Sequence, residues 1–143
     1  MNEKTYNVAY KIACRDFASA GDASRNIKRT LQQIGIDNKI IRRVSIATYE
    51  AEMNISIHSL GGEIIFSVDN KNIYIESVDR GPGIKDIKLA MTEGYSTASN
   101  EIREMGFGAG MGLPNMKACS DEFSISSKVN EGTKIKMTFM IRR

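Results

Sequence analysis

The order of hydrophobic patterns along this chain predicts an α+β fold, a two-layer sandwich in which a mixed, mostly antiparallel sheet carries helices on one face. Three observations predict it. Val8, Tyr10 and Ile12, and later Ile135, Met137, Phe139 and Ile141, alternate with other residues in the period-two pattern of strands with one face buried. Apolar residues recur every three or four positions in two long runs between Ala20 and His58, the period of amphipathic helices. Two pairs of strands then follow one another without a helix between the partners, which argues against a fully alternating parallel fold. With 143 residues, 41% hydrophobic and 26% charged, residues 1–143 are expected to form one domain around one core.

Each element has its own local reason. The first strand is the Val8, Tyr10, Ile12 segment. Ala20, Ala23, Ile27, Leu31 and Ile34 form the stripe of a first helix that Gly35 can end. Asp37 is a suitable N-cap for a second helix from about Lys39 to His58, with Val44, Ala47, Ala51 and Ile55 inward and Gly61-Gly62 as its stop. Strands at Glu63 to Val68 and Ile73 to Val78 are joined by the turn-prone run Asp69-Asn70-Lys71-Asn72. A loop from Asp79 to Ile84 opens at the strand end, and Asp86 to Met91 reads as a short helix. Thr92 to Glu104 is polar and expected to be mobile. Leu113 to Cys119 reads as a helix, and Phe123 to Lys128 and Lys134 to Ile141 as a hairpin closed around Asn130-Glu131-Gly132.

Composition removes several kinds of chemistry. One histidine, His58, and two distant cysteines, Cys14 and Cys119, cannot build a His/Cys zinc site or an iron–sulfur cluster. The first ten residues lack the apolar stretch of a signal peptide, and no run approaches a membrane span, so a cytoplasmic protein with reduced thiols and no membrane contact is expected. Twenty basic residues against 17 acidic ones give a net charge of +3 spread along the chain. Lys39, Arg42 and Arg43 are the densest basic group, and a solvated helix face accounts for them, so no nucleic-acid partner is expected.

Glycine is where the sequence concentrates. Gly106, Gly108, Gly110 and Gly112 stand at every second position and run into the predicted Leu113 helix. Such a loop exposes backbone N–H groups beside the positive end of a helix dipole, so phosphate is its natural ligand. No Gly-Lys pair exists for a Walker A loop, and Met111 occupies the third glycine position of a dinucleotide fingerprint. Asp79-x-Gly81-x-Gly83 sets a carboxylate at a strand end, where it can accept a hydrogen bond from an amino group such as adenine N6, next to glycines that let a flat ring approach. On the second helix Glu50 and Asn54 lie one turn apart on one face, a carboxylate and an amide oxygen suited to a proton or a hard cation. Glu52 competes for the acid role, but two residues turn the helix by ~200°, which points it away from Asn54. His58 continues the i, i+4 series, yet no Gly-x-Ser-x-Gly elbow presents a serine to it.

Taken in order, Glu50-x-x-x-Asn54, Asp79-x-Gly81-x-Gly83, Gly108-x-Gly110-x-Gly112 and Gly132-Thr133 resemble the N, G1, G2 and G3 boxes of the GHKL ATPase superfamily, whose Bergerat fold would take up nearly the whole chain. Within it, Glu93-Gly94-Tyr95-Ser96-Thr97, the run from Gly106 to Lys117 and Ser120-Asp121-Glu122-Phe123 resemble the anti-sigma-factor type of serine kinase, including the switch kinases of stress-signalling complexes. The resemblance implies ATP and Mg²⁺ as cofactors, with Glu50 as general base, Asn54 as the Mg²⁺ ligand and Asp79 as the adenine reader. Thr133 would support adenine through its hydroxyl, and residues from Met91 to Phe107 would form a lid. The implied cofactor-binding set is Asn54, Asp79, Gly81, Gly83, Ile84, Gly106, Gly108, Ala109, Gly110, Met111, Gly112, Leu113 and Thr133.

The resemblance further implies an ATP-dependent serine/threonine protein kinase acting on a STAS-domain protein, an anti-anti-sigma factor or stressosome scaffold. Its alternative is a nucleotide-gated module that sequesters a sigma factor or activates a downstream partner. Relatives of this type often form homodimers, for which the first strand offers an edge.

Overall fold

In a computed structural model, residues 6–16, 18–84, 86–91 and 112–141 are described. The elements follow in the order β1 (Tyr6–Ile12), α1 (Asp22–Ile34), α2 (Asn38–His58), β2 (Gly62–Val68), β3 (Asn72–Asp79), α3 (Ile87–Ala90), α4 (Gly112–Cys119), β4 (Glu122–Lys128) and β5 (Gly132–Met140). Except for Met91, the predicted lid lies outside the described residues, as do the predicted site residues Gly106, Gly108, Ala109, Gly110 and Met111.

The strands form one five-stranded sheet in the order β1-β2-β3-β5-β4. Every ladder among the described strands is antiparallel, where the sequence left room for a mixed sheet. The connection through α4 returns the chain to the outer edge as β4, and the hairpin then delivers β5 antiparallel to β3. That insertion sets Val78 opposite Lys134 and brings the end of β3 to the start of β5.

Turn and cap chemistry fix the ends. Asp69 accepts the N–H groups of Lys71 and Asn72 at 2.8 Å each and the Tyr74 hydroxyl at 2.8 Å, which closes the β2–β3 turn. Asp37 caps α2 through the N–H of Lys39 at 2.7 Å, as expected for an aspartate there. The glycine pair does not stop α2. Ser59 does so first: its N–H and hydroxyl both donate to the carbonyl of Ile55, and its Oγ accepts the N–H of Gly61. Gly62 is thereby released to begin β2.

Helices cover one face of the sheet. Ile64 and Phe66 of β2, Ile73 and Ile75 of β3, and Ile135, Met137 and Phe139 of β5 are buried against Ile27 and Leu31 of α1, Val44, Ala47, Ala51 and Ile55 of α2, and Leu113 and Met116 of α4. Each of the larger of these side chains contributes about 1.5–3 kcal/mol by leaving water, and Ala47 and Ala51 contribute less. Helix α2 touches both α1 and α4 as well as the sheet, so its outward and lateral faces carry different partners. Arg43, expected on a solvated face, instead donates to the carbonyl of Cys119 at 3.0 Å and lies 3.6 Å from Asp121, joining α2 to the far end of α4. Cys14 and Cys119 are free thiols.

Candidate active site

The Glu50 and Asn54 side chains project from α2 toward the first turn of α4. Asn115 Nδ2 donates to Glu50 Oε2 at 2.7 Å across 65 residues of sequence. Gly112 sits so close to Asn54 that a Cβ there would lie 3.4 Å from Asn54 Oδ1. The amide oxygen therefore faces the point where α4 begins. The helical spacing put both groups on one face, and the packing of α4 decides what that face meets. Leu113, named as a site residue, is buried in the core beneath this turn and anchors it.

Glu52 points away from this face, as its direction on the helix predicts, and has a structural role that the sequence did not indicate. It is 2% exposed and accepts the N–H groups of Gly21 and Ala23 at 3.2 Å and of Ser24 at 2.8 Å, capping α1 from another helix. Gly21, at φ 91°, holds the N-cap position of α1 and has no side chain to do this itself. Burial raises the pKa of Glu52, and the three N–H donors oppose the rise. His58 lies at the end of the same helix, its pKa lowered by burial.

The second cluster joins three strand ends. Asp79 Oδ1 accepts the N–H of Thr133 at 3.0 Å, and burial raises its pKa while that hydrogen bond lowers it. Gly132 is required here: at φ 143° its backbone passes so close that a Cβ would lie 2.1 Å from the carbonyl oxygen of Asp79. Gly83 makes a comparable approach to β4 at φ 73°, where a Cβ would lie 2.4 Å from the Lys128 carbonyl. Gly81 packs on Ser59, and the loop is held to the hairpin by Asn130 N–H donating to the Pro82 carbonyl at 2.8 Å.

Ser127 organises this end and was not singled out in the sequence. Its Oγ accepts the N–H of Ile84 at 2.7 Å, donates to the Gly132 carbonyl at 3.1 Å and lies 2.8 Å from Thr133 Oγ1. With its own proton used on Gly132, Ser127 receives the proton of Thr133, which leaves the Thr133 oxygen lone pairs as what that hydroxyl offers a ligand. A serine on the inward series Phe123, Ile125, Ser127 was the available signal. Asn115 lay within the run from Gly106 to Lys117 that carried the resemblance, but nothing local tied it to Glu50, 65 residues away. A separate cavity of about 670 Å³ lies between β1, the start of α1 and the Glu52 side of α2, and none of the predicted site residues lines it.

A helix face with a carboxylate and an amide oxygen beside a helix start, and an aspartate at a strand end locked to a Gly-Thr pair, define a class. Residues 15–139 match the histidine kinase-like ATPase domain family, and the chain belongs to that family. Among its relatives it is similar to the serine/threonine-protein kinase RsbT of Bacillus subtilis, 32% identical over 131 residues that cover 89% of this chain and 90% of that protein. It is likewise similar to the anti-sigma F factor of Caldanaerobacter subterraneus subsp. tengcongensis, 36% identical over 109 residues and 72% of each chain. The fold resembles a crystal structure of the RsbU and RsbW domains of Rv1364c from Mycobacterium tuberculosis, with a TM-score of 0.62 and 18% identity over 94% of this chain and 32% of that longer one.

The donor set fits a magnesium nucleotide. No group of three or more His, Cys, Asp or Glu side chains among the described residues could hold a metal alone. Asn54 supplies a hard amide oxygen at the start of α4, and magnesium takes few protein ligands when phosphate oxygens and waters complete its shell. Among the described residues no helix is long and apolar enough to cross a membrane.

Proposed function

We propose that this chain is an ATP-dependent serine/threonine protein kinase that phosphorylates a STAS-domain anti-anti-sigma or scaffold protein in the cytoplasm. The observation that carries the reading is the shared face of α2, on which Glu50 and Asn54 both meet the first turn of α4. The similarity to a named serine/threonine-protein kinase over nine-tenths of both chains supports the same chemistry.

In this reading Asp79 accepts a hydrogen bond from the adenine amino group, and Gly81 and Gly83 give the ring access to the loop beside it. Asn54 would hold Mg²⁺, which would offset triphosphate charge and orient its terminal group. Gly108, Ala109, Gly110, Met111 and Gly112 supply backbone donors to the phosphates, and Gly106 serves as the hinge of the lid. The acceptor serine or threonine oxygen bonds to the γ-phosphorus as the bond to the ADP oxygen breaks, and Glu50 takes the hydroxyl proton. Magnitudes for a positioned base, about 10²–10⁴-fold, make Glu50 the decisive side chain to test. With ATP, Mg²⁺ and a purified STAS-domain protein, phosphoserine or phosphothreonine should form; Glu50→Gln should abolish transfer while ATP still binds, and retained transfer would remove Glu50 from the base role.

The similarity to an anti-sigma F factor supports a second reading, in which the same nucleotide-bound chain also sequesters a sigma factor.

A further inference from the structure

We propose that Asn115 is a positioning residue for the Glu50 carboxylate, holding one of its oxygens so that the other faces the acceptor hydroxyl. The inference rests on the reading of Glu50 as the base and adds a residue that the motif boxes do not contain.

A glutamate on a helix surface has three side-chain torsions and, without a partner, distributes over their rotamers. Here Asn115 Nδ2 fixes Oε2 at 2.7 Å, and both residues are half-buried. Among the described residues it is the group bonded to that carboxylate. Oε1 is left for the substrate. The type of donor matters as much as its position. An amide has no net charge, so it orients a carboxylate without forming the ion pair that a lysine or arginine would form there.

The donor is itself firmly held. Leu113 and Met116 flank Asn115 on α4 and are buried in the core, with Met116 fully so. Arg43 fastens the other end of the helix at the Cys119 carbonyl. Gly112, on the same turn as Asn115, packs against Asn54. The first turn of α4 therefore meets both functional side chains of α2, and its seating orients the base at the place where the ligand of the phosphates begins.

The test uses the full chain with ATP, Mg²⁺ and a purified STAS-domain protein as acceptor, and three variants: Asn115→Leu, which removes the donor at similar volume, Asn115→Asp, near-isosteric but with no amide donor, and Asn115→Gln, which restores an amide. Losing a hydrogen bond to a charged group corresponds to about a 10- to 100-fold fall in kcat for the first two. In Asn115→Leu the KM for ATP, ADP binding by calorimetry and the melting temperature should stay at wild-type values, and Asn115→Gln should recover part of the rate. Wild-type kcat in Asn115→Leu and Asn115→Asp overturns the proposal, and so does a rate loss that appears only together with equal losses of nucleotide binding and stability. Failure of the underlying reading looks different: there Glu50→Gln itself retains transfer, or the wild-type chain transfers no phosphate.

Discussion

Asp79 illustrates how a single residue is set up for a ligand. Burial raises its pKa above the ordinary 3.8, and the Thr133 N–H only partly offsets this. A raised folded-state value favours the protonated form in the fold; that stability is present below the unfolded value and is lost as pH rises through the folded one. At neutral pH the carboxylate is thus held at a cost that a donor from the ligand can offset. If it reads an amino group, nucleotide affinity should fall on acidification, and the fall should begin above the range of an exposed aspartate. Asp79→Asn should weaken binding at neutral pH by roughly 10- to 100-fold and flatten the profile, as read by calorimetry. A flat profile in the unaltered protein would take Asp79 out of adenine recognition. The residue was legible in the sequence because a lone carboxylate between an apolar strand and a Gly-x-Gly turn is unusual. Ser127, which locks the opposite wall, was much less so, because its three partners come together only when β4, β5 and the Pro82 loop are packed.

At the scale of elements, the most informative contact is the capping of α1 by Glu52. The helix starts after a glycine with no side-chain cap, and three of its early N–H groups depend on a carboxylate from α2. Glu52→Ala leaves those donors without partners and should lower stability by about 3 kcal/mol or more in denaturant unfolding. The amides of the first turn of α1 should lose exchange protection before those of the central strands β3 and β5. Equal protection throughout would mean that water replaces the carboxylate at no loss. Helical period alone separated Glu52 from the Glu50–Asn54 face. It could not say that Glu52 had a structural partner, since Gly21 lies 31 residues away. The end of α2 shows the same limit: the Gly61-Gly62 pair promised a stop, but the Ser59 hydroxyl satisfies the last carbonyl earlier and a glycine is free to start a strand.

For the molecule as a whole, the two readings of function separate by where they place the working surface. In the proposed reading phosphate transfer depends on the face between α2 and α4, whereas the second reading needs only the nucleotide-bound chain, which Glu50→Gln is expected to preserve. Under the second reading, a pull-down with ATP or ADP should therefore capture sigma factor equally with the wild-type chain and Glu50→Gln; no complex with either nucleotide would count against sequestration. Local pattern sufficed for the elements, the mostly antiparallel sheet and the four glycine and carboxylate boxes, because period, turn residues and backbone freedom are carried within a few positions. Long-range packing is what inserts β5 beside β3, brings Gly132 against Asp79 and lets Asn115 reach Glu50. Those contacts join residues 53 and 65 positions apart, and their geometry is fixed by the core that packs α4 and the final hairpin against α2 and β3, which no local pattern encodes.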